Sequence, residues 1–169
     1  MREPALHEKE SKPPRILALD YGRARIGVAI ADTETALAKP LATLVRINRN
    51  EDMRRLRELT REHGVMQIVV GLPLRLDGTR GDMAEEAARF AERVRKQIGL
   101  PVELVDERLT SWEAERLLEE QQGHTIHAAS GKKRKQENGK PGVDAMAAAL
   151  ILKEYLDRIH PPDAVQEAD

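Results

Sequence analysis

The stretch ILALDYGRARIGVAIAD, residues 16–32, decides the fold. Ile16 to Leu19 is continuously apolar, as suits a central strand covered on both faces, yet it runs straight into Asp20. The chain then passes Gly22, Arg23 and Arg25 and enters a second apolar run, so the two segments are expected to pair as a hairpin. An acid at the end of a buried strand is turn chemistry, half of an ion pair, or a ligand for something positive.

Outward from this stretch, PLATLVRI (40–47) reads as a third strand. Asn50 can cap a helix carrying Met53, Leu56 and Leu59 at helical spacing, which Gly64 can end. MQIVVGLP (66–73) is another buried strand, stopped by Gly71 and Pro73. A loop, LRLDGT, leads to a helix expected from about Arg80 to Ile98, with Thr79 as its cap and Gly99 and Pro101 closing it. PVELVDERLT (101–110) gives a fifth strand ending near Asp106 and Glu107. Thr110 and Glu113 form a capping box for a helix bearing Trp112, Leu117 and Leu118. Residues 123–142 read as a long mobile loop, and Val143 to about Arg158 as a final helix with an alanine-rich face. Three meandering strands followed by helical crossovers give an α/β fold, a mixed five-stranded sheet with helices on both faces. That is the ribonuclease H-like order, with the first strand in the centre. Residues 15–159 are expected to form the domain, with 1–14 and 160–169 as flexible tails.

Composition narrows the functions open to such a fold. At 169 residues the chain fits one domain with a proper core. Aromatic residues make up 2% of it, one Trp, one Phe and two Tyr, so platforms for stacking bases are nearly absent. The net charge of −1 means that any polyanion must be held by a local patch. The absence of cysteine excludes disulfides, zinc thiolate sites and thiol nucleophiles. No apolar run approaches the roughly 20 residues of a membrane span, and MREPALHEKESKPPR lacks the apolar centre of a signal peptide. These features read as a cytoplasmic protein with no membrane partner.

On the expected fold, the ends of the first and fifth strands face the start of the last helix. Asp20, Glu107 and Asp144 fall there. Phosphodiester cleavage by Mg²⁺ or Mn²⁺ needs such hard oxygen ligands, which hold an ion that activates water and stabilises the leaving oxygen. Each acid also has a plainer reading: Asp20 as a turn residue, Glu107 as a solvated carboxylate, Asp144 as a late helix cap. Singly the plainer readings win; the convergence of three favours the metal site. Arg23 and Arg25 are phosphate contacts or simply part of a hairpin turn in which Gly22 supplies an unusual backbone angle. Arg75 in GLPLRLDG and Arg108 beside Glu107 are further candidate nucleic-acid contacts. GLPLRLDG holds no G-x-G-x-x-G and no Walker lysine, which makes a nucleotide loop a weak reading. Lys132, Lys133, Arg134 and Lys135, with Lys140, form the one dense basic cluster, a solvated loop by default but a backbone-binding element beside a carboxylate site. His124 and His127 have no third ligand in view and read as loop residues.

With these residues assembled, the sequence resembles the YqgF/RuvX family, the pre-16S rRNA nucleases also called Holliday junction resolvase-like proteins. LALDYGRARIGVAIAD, IVVGLPLRLDGT, VDERLTSWEAERLL and VDAMAAALILKEYLD carry the likeness, in family order, over roughly Arg15 to Leu156. The resemblance implies a ribonuclease H-like nuclease that uses divalent metal, with Asp20, Glu107 and Asp144 as its metal-site acids. It implies maturation of the 5′ end of precursor 16S rRNA as the task, and resolution of branched DNA as the older inference. The chain departs from the family pattern where QENGKPG separates the basic run from the final acid. Scarce exposed aromatics and the lack of sustained heptads point to a monomer or weak dimer. Two rival readings remain: an ATP-binding domain of the actin, Hsp70 and sugar-kinase type, which needs two such domains, and a non-catalytic nucleic-acid-binding scaffold.

Overall fold

The computed structural model describes residues 13–75, 77–107 and 142–160. The expected hairpin forms: β1 (Arg15–Tyr21) and β2 (Arg25–Asp32) pair antiparallel with Asp20 opposite Gly27. β3 (Lys39–Val45) continues the meander on β2. β4 (Val65–Leu72) lies parallel to β1 on its other side, and β5 (Val102–Asp106) parallel to β4. The order is β3-β2-β1-β4-β5, with the first strand central. α1 (Arg49–Glu62) and α2 (Asp82–Ile98) follow β3 and β4, and α3 (Val143–Ile159) is the last described helix. The helix expected beyond Thr110 lies outside the described residues.

The period of two along β1 separates two cores. Leu17 and Leu19 join Ile26, Val28, Ile68 and Val70 beneath Met53 and Leu56 of α1 and Phe90 and Val94 of α2. Ile16 and Ala18 face the other way, joining Ala29, Ala31, Val69 and Val105 beneath Ala148, Ile151 and Leu152 of α3. The second core includes Ala18, Ala29, Ala31 and Ala148, whose small side chains let α3 lie close to the sheet. The closest approach is at Gly27, where a Cβ would stand 1.9 Å from the Asp144 carbonyl oxygen.

Three local expectations need correction. The cap of α1 is Asn48, whose Oδ1 accepts from the Glu51 N–H at 2.9 Å, while Asn50 already lies inside the helix. Two asparagines stand two apart, and the one with extended backbone takes the cap. Thr79 does not cap α2. Its N–H and hydroxyl both donate to Asp77 Oδ1, at 2.9 and 2.7 Å, closing the preceding turn, and α2 begins after Gly81 with no side-chain cap. Gly22 is not among the residues with positive φ. A Cβ there would instead stand 2.5 Å from the Arg25 carbonyl oxygen, so room in the turn is what requires glycine. Gly64 and Gly99, in the left-handed region at φ 64° and 79°, end α1 and α2 as expected.

Candidate active site

Asp20 continues the Ile16, Ala18 side of β1 and therefore points to the face covered by α3. Glu107 follows β5 by one residue on the side of Val105, the same face, and its N–H donates to the Leu72 carbonyl at 3.1 Å. Asp106 points to the opposite face. Between Asp20 and Glu107 runs β4, and its residue there is Gly71. A Cβ on Gly71 would stand 1.9 Å from Glu107 Oε1, so the Glu107 carboxyl occupies the space a side chain would fill. The glycines on both flanking strands, Gly27 and Gly71, thus admit the start of α3 and the Glu107 carboxyl over Asp20.

Asp20 and Glu107 share a hydrogen bond, and Glu107 is only 8% exposed. Burial pushes Glu107 up to about 9, reinforced by the charge of Asp20 and by the hydrogen bond to it. Burial likewise raises Asp20, to about 6, against the lowering effect of that bond and with a further push from the charge of Asp144. Glu107 therefore holds the proton at neutral pH and donates it to an ionised Asp20. Two carboxyls forced together out of water in this way hold a proton where a cation would otherwise serve.

Asp144 is the second residue of α3, and its Oδ2 accepts from Arg25 Nε at 2.8 Å. Both side chains are partly solvated, so the pair contributes no more than about 1 kcal/mol. Asp144 is near enough to act on Asp20 electrostatically, but its carboxylate is engaged by Arg25. Among the described residues, no three acidic or histidine side chains form a ready-made metal cage.

The remaining candidates divide. Arg23 forks onto Glu86 of α2, with Nε 3.1 Å from both carboxylate oxygens and Nη2 2.9 Å from Oε1. Arg75 is exposed in the β4–α2 loop, its guanidinium beside Gly81. Arg108, Lys132, Lys133, Arg134, Lys135 and Lys140 lie outside the described residues. Sequence reasoning missed a polar network on the reverse side of the hairpin. Asp52 of α1 is 2% exposed, accepts from the Ile47 N–H at 3.0 Å, and pairs with Arg46 at 3.2 Å and Arg55 at 2.9 Å. Arg46 also donates to the Tyr21 hydroxyl at 3.0 Å and lies over the Tyr21 ring. The Asp52, Arg55 spacing of three was the available signal.

A mixed five-stranded sheet in this order, with a buried carboxyl pair at the end of its central strand, defines a ribonuclease H-like domain. Its backbone is similar to that of Thermus thermophilus RuvC in complex with a Holliday junction substrate, with a TM-score of 0.51 and 13% identity, covering 86% of this chain and 95% of that one. The profile of the RuvX family, described as Holliday junction resolvase, matches residues 14–158, and the chain belongs to that family. A relative from Anaeromyxobacter sp. (strain K), named "Putative pre-16S rRNA nuclease", is 44% identical over 147 residues, 87% of this chain and 99% of the relative. One of the same name from Thermosynechococcus vestitus is 41% identical over 142 residues, covering 84% and 87%. The family is one of nucleases. No described helix is long and apolar enough to cross a membrane.

Proposed function

We propose that this protein is a divalent-metal-dependent endonuclease that trims the 5′ end of precursor 16S rRNA. The observation that carries the reading is the buried Asp20–Glu107 pair, which holds a proton up to about pH 9 in a chain of the RuvX family. The oxygen donors fit Mg²⁺ or Mn²⁺. Asp20 and Glu107 would hold the ion between β1 and the end of β5, and Asp144 would join them on leaving Arg25. Bound there, a divalent ion supplies an activated water and charge to stabilise the leaving oxygen.

The chain's own residues do the rest. To serve as a ligand Glu107 would release its proton to solvent, whereas Asp20, raised only to about 6, is already largely ionised at neutral pH. Arg25, once released from Asp144, would donate hydrogen bonds to a phosphate of the scissile strand; the weakness of that exposed pair makes the exchange easy. The basic run Lys132 to Lys135, with Arg108 and Lys140, supplies affinity for the backbone and takes no part in the chemistry.

Stoichiometry supports the choice of RNA over branched DNA. Resolving a four-way junction requires paired cuts across a symmetric branch, which calls for a symmetric dimer. One active site suffices to trim one RNA strand. The test presents purified protein with precursor 16S rRNA and intact four-way junctions side by side, with Mg²⁺ or Mn²⁺. Cleavage of the RNA at concentrations where light scattering reports a monomer is the expected result. Paired symmetric cleavage of the junction, with the RNA left whole, would restore the resolvase reading.

A further inference from the structure

The reverse side of the β1–β2 hairpin carries a second concentration of positive charge. Successive residues of a strand face opposite sides, so Tyr21 leaves the Asp20 face and packs among α1 and α2. Its ring centroid is 4.9 Å from that of Phe90, and its hydroxyl donates to Glu86 at 3.4 Å. Glu86, Arg89, Phe90 and Arg93 recur at spacings of three and four, which makes them one stripe of α2. With Glu86 and Phe90 fixed against Tyr21, Arg89 and Arg93 flank the same surface.

Arg46 and Arg49, at the entry to α1, meet this stripe from the other side. The two helices run alongside each other, and Arg57 further along α1 reaches the Gln97 carbonyl at 3.4 Å. Burial, then the charge of Arg49 with smaller contributions from Arg46 and Arg89, pulls the Arg93 guanidinium below its ordinary value. A guanidinium nevertheless stays charged at any working pH. The carboxylates nearby are already engaged: Asp52 by Arg46 and Arg55, Glu86 by Arg23. Among the described residues, Arg49, Arg89 and Arg93 form no ion pair or hydrogen bond. Arg49 and Arg89 are exposed and Arg93 is half-buried, and three like charges with no carboxylate paired to them make a surface suited to an anion.

We propose that Arg49, Arg89 and Arg93 form a phosphodiester-binding surface on the α1/α2 face, which holds the nucleic-acid strand after it passes over the β1–β2 hairpin. This deepens the nuclease reading and rests on it for the identity of the strand. Arg25 stands at the acids, and Arg23 follows at Glu86, where the α2 stripe begins, so the arginines make a track from the acids around the hairpin. Arg89 and Arg93 are about 6 Å apart along the helix axis, the reach of consecutive phosphates on an extended strand and more than a single phosphate ion spans. Tyr21 and Phe90 lie beneath the arginines and offer no open ring for stacking, so the contact is to the backbone and independent of sequence.

The test compares wild type with Arg89→Gln/Arg93→Gln, which retains a polar side chain at each position while removing both charges. Binding of a fluorescent single-stranded RNA is followed by anisotropy in EDTA, across a salt series. With two phosphates of a single strand no longer neutralised, the slope of log affinity against log salt falls by about 1.4, with roughly tenfold weaker binding near 0.1 M salt. The thermal midpoint should hold or rise, because mutual repulsion is relieved. Equal slope and affinity in the two proteins overturn the surface, as does a wild type that binds no RNA. Cleavage is scored separately. A wild type that binds through Arg89 and Arg93 but cuts nothing would sink the nuclease reading and leave this surface standing.

Discussion

Replacing Glu107 by Gln should stabilise the metal-free protein, an unusual outcome for a buried charged residue. In the fold Glu107 holds its proton up to about pH 9 and donates it to Asp20, whereas the unfolded chain releases that proton near the ordinary value of 4.5. Near pH 7.5 the folded state must therefore keep a proton that the unfolded state has lost, a cost of about 4 kcal/mol. Gln carries no such cost, and its amide N–H can donate to Asp20 in place of the carboxyl. Allowing half of that cost to be relieved by rearrangement in wild type, the gain is about 2 kcal/mol, or about 4–8 °C in a chain of this size. The sign fixes the pH profile. Both Asp20 and Glu107 are raised, so the unfolded state binds fewer protons and wild-type stability falls as pH climbs from about 5 toward 9. Thermal melts in EDTA, followed by circular dichroism, should show Glu107→Gln level with wild type near pH 4.5 and increasingly ahead above pH 6. Adding Mg²⁺ or Mn²⁺ should stabilise wild type near pH 7.5 and leave the variant unmoved. A variant less stable than wild type near pH 7.5, or a gap that does not change with pH, would refute the shared-proton pair.

Three further outcomes follow from the packing. Asp52→Asn removes the carboxylate that two buried-side arginines and the Ile47 N–H share, and should cost about 3 kcal/mol in denaturant melts near pH 7; the deficit should shrink in acid, since Asp52 is held below its ordinary value. Gly27→Ala would drive a methyl into the Asp144 backbone and should displace the start of α3, lowering stability by at least about 2 kcal/mol and cleavage with it. Arg25→Gln frees Asp144 and should tighten Mn²⁺ binding measured by electron paramagnetic resonance without nucleic acid, while weakening cleavage; unchanged Mn²⁺ affinity would mean that the Arg25–Asp144 pair does not compete with the ion.

The strand order was legible because the apolar runs are long and those of β1, β2, β4 and β5 are each stopped by glycine, proline or an acid. LALD and RIGVAIAD could pair only across the short GRA turn, and the later strands are separated by helices, which forces parallel crossovers. The gathering of Asp20 and Glu107 on one face was legible from strand alternation. What the letters could not carry was geometry finer than a residue. Asn48 and Asn50 are equally good caps by composition, and only backbone conformation separates them. The engagement of Asp144 by Arg25 spans 119 positions and belongs to tertiary packing. Tyr21, Arg46 and Glu86 were invisible for the same reason, since each looks like an ordinary surface residue until α1 and α2 close over the hairpin, and the spacing of Asp52 and Arg55 alone does not show that Asp52 is buried. Gly71 reads as strand punctuation and Gly27 as an unremarked member of an apolar run, yet Gly71 leaves room for the Glu107 carboxyl and Gly27 for the start of α3.

The most direct test of the central claim is the cleavage rate of Asp20→Asn on precursor 16S rRNA, set against the rate of Asp106→Asn. The first substitution keeps the shape of the side chain and removes the charge at the end of β1; the second does the same to the neighbour of Glu107 on the opposite strand face. RNA binding and the melting profile of each variant are measured on the same preparations. Asp20→Asn should lose metal-dependent cleavage while still folded and still bound to RNA, with Asp106→Asn much closer to wild type. An Asp20→Asn protein that cuts at near the wild-type rate would contradict that claim.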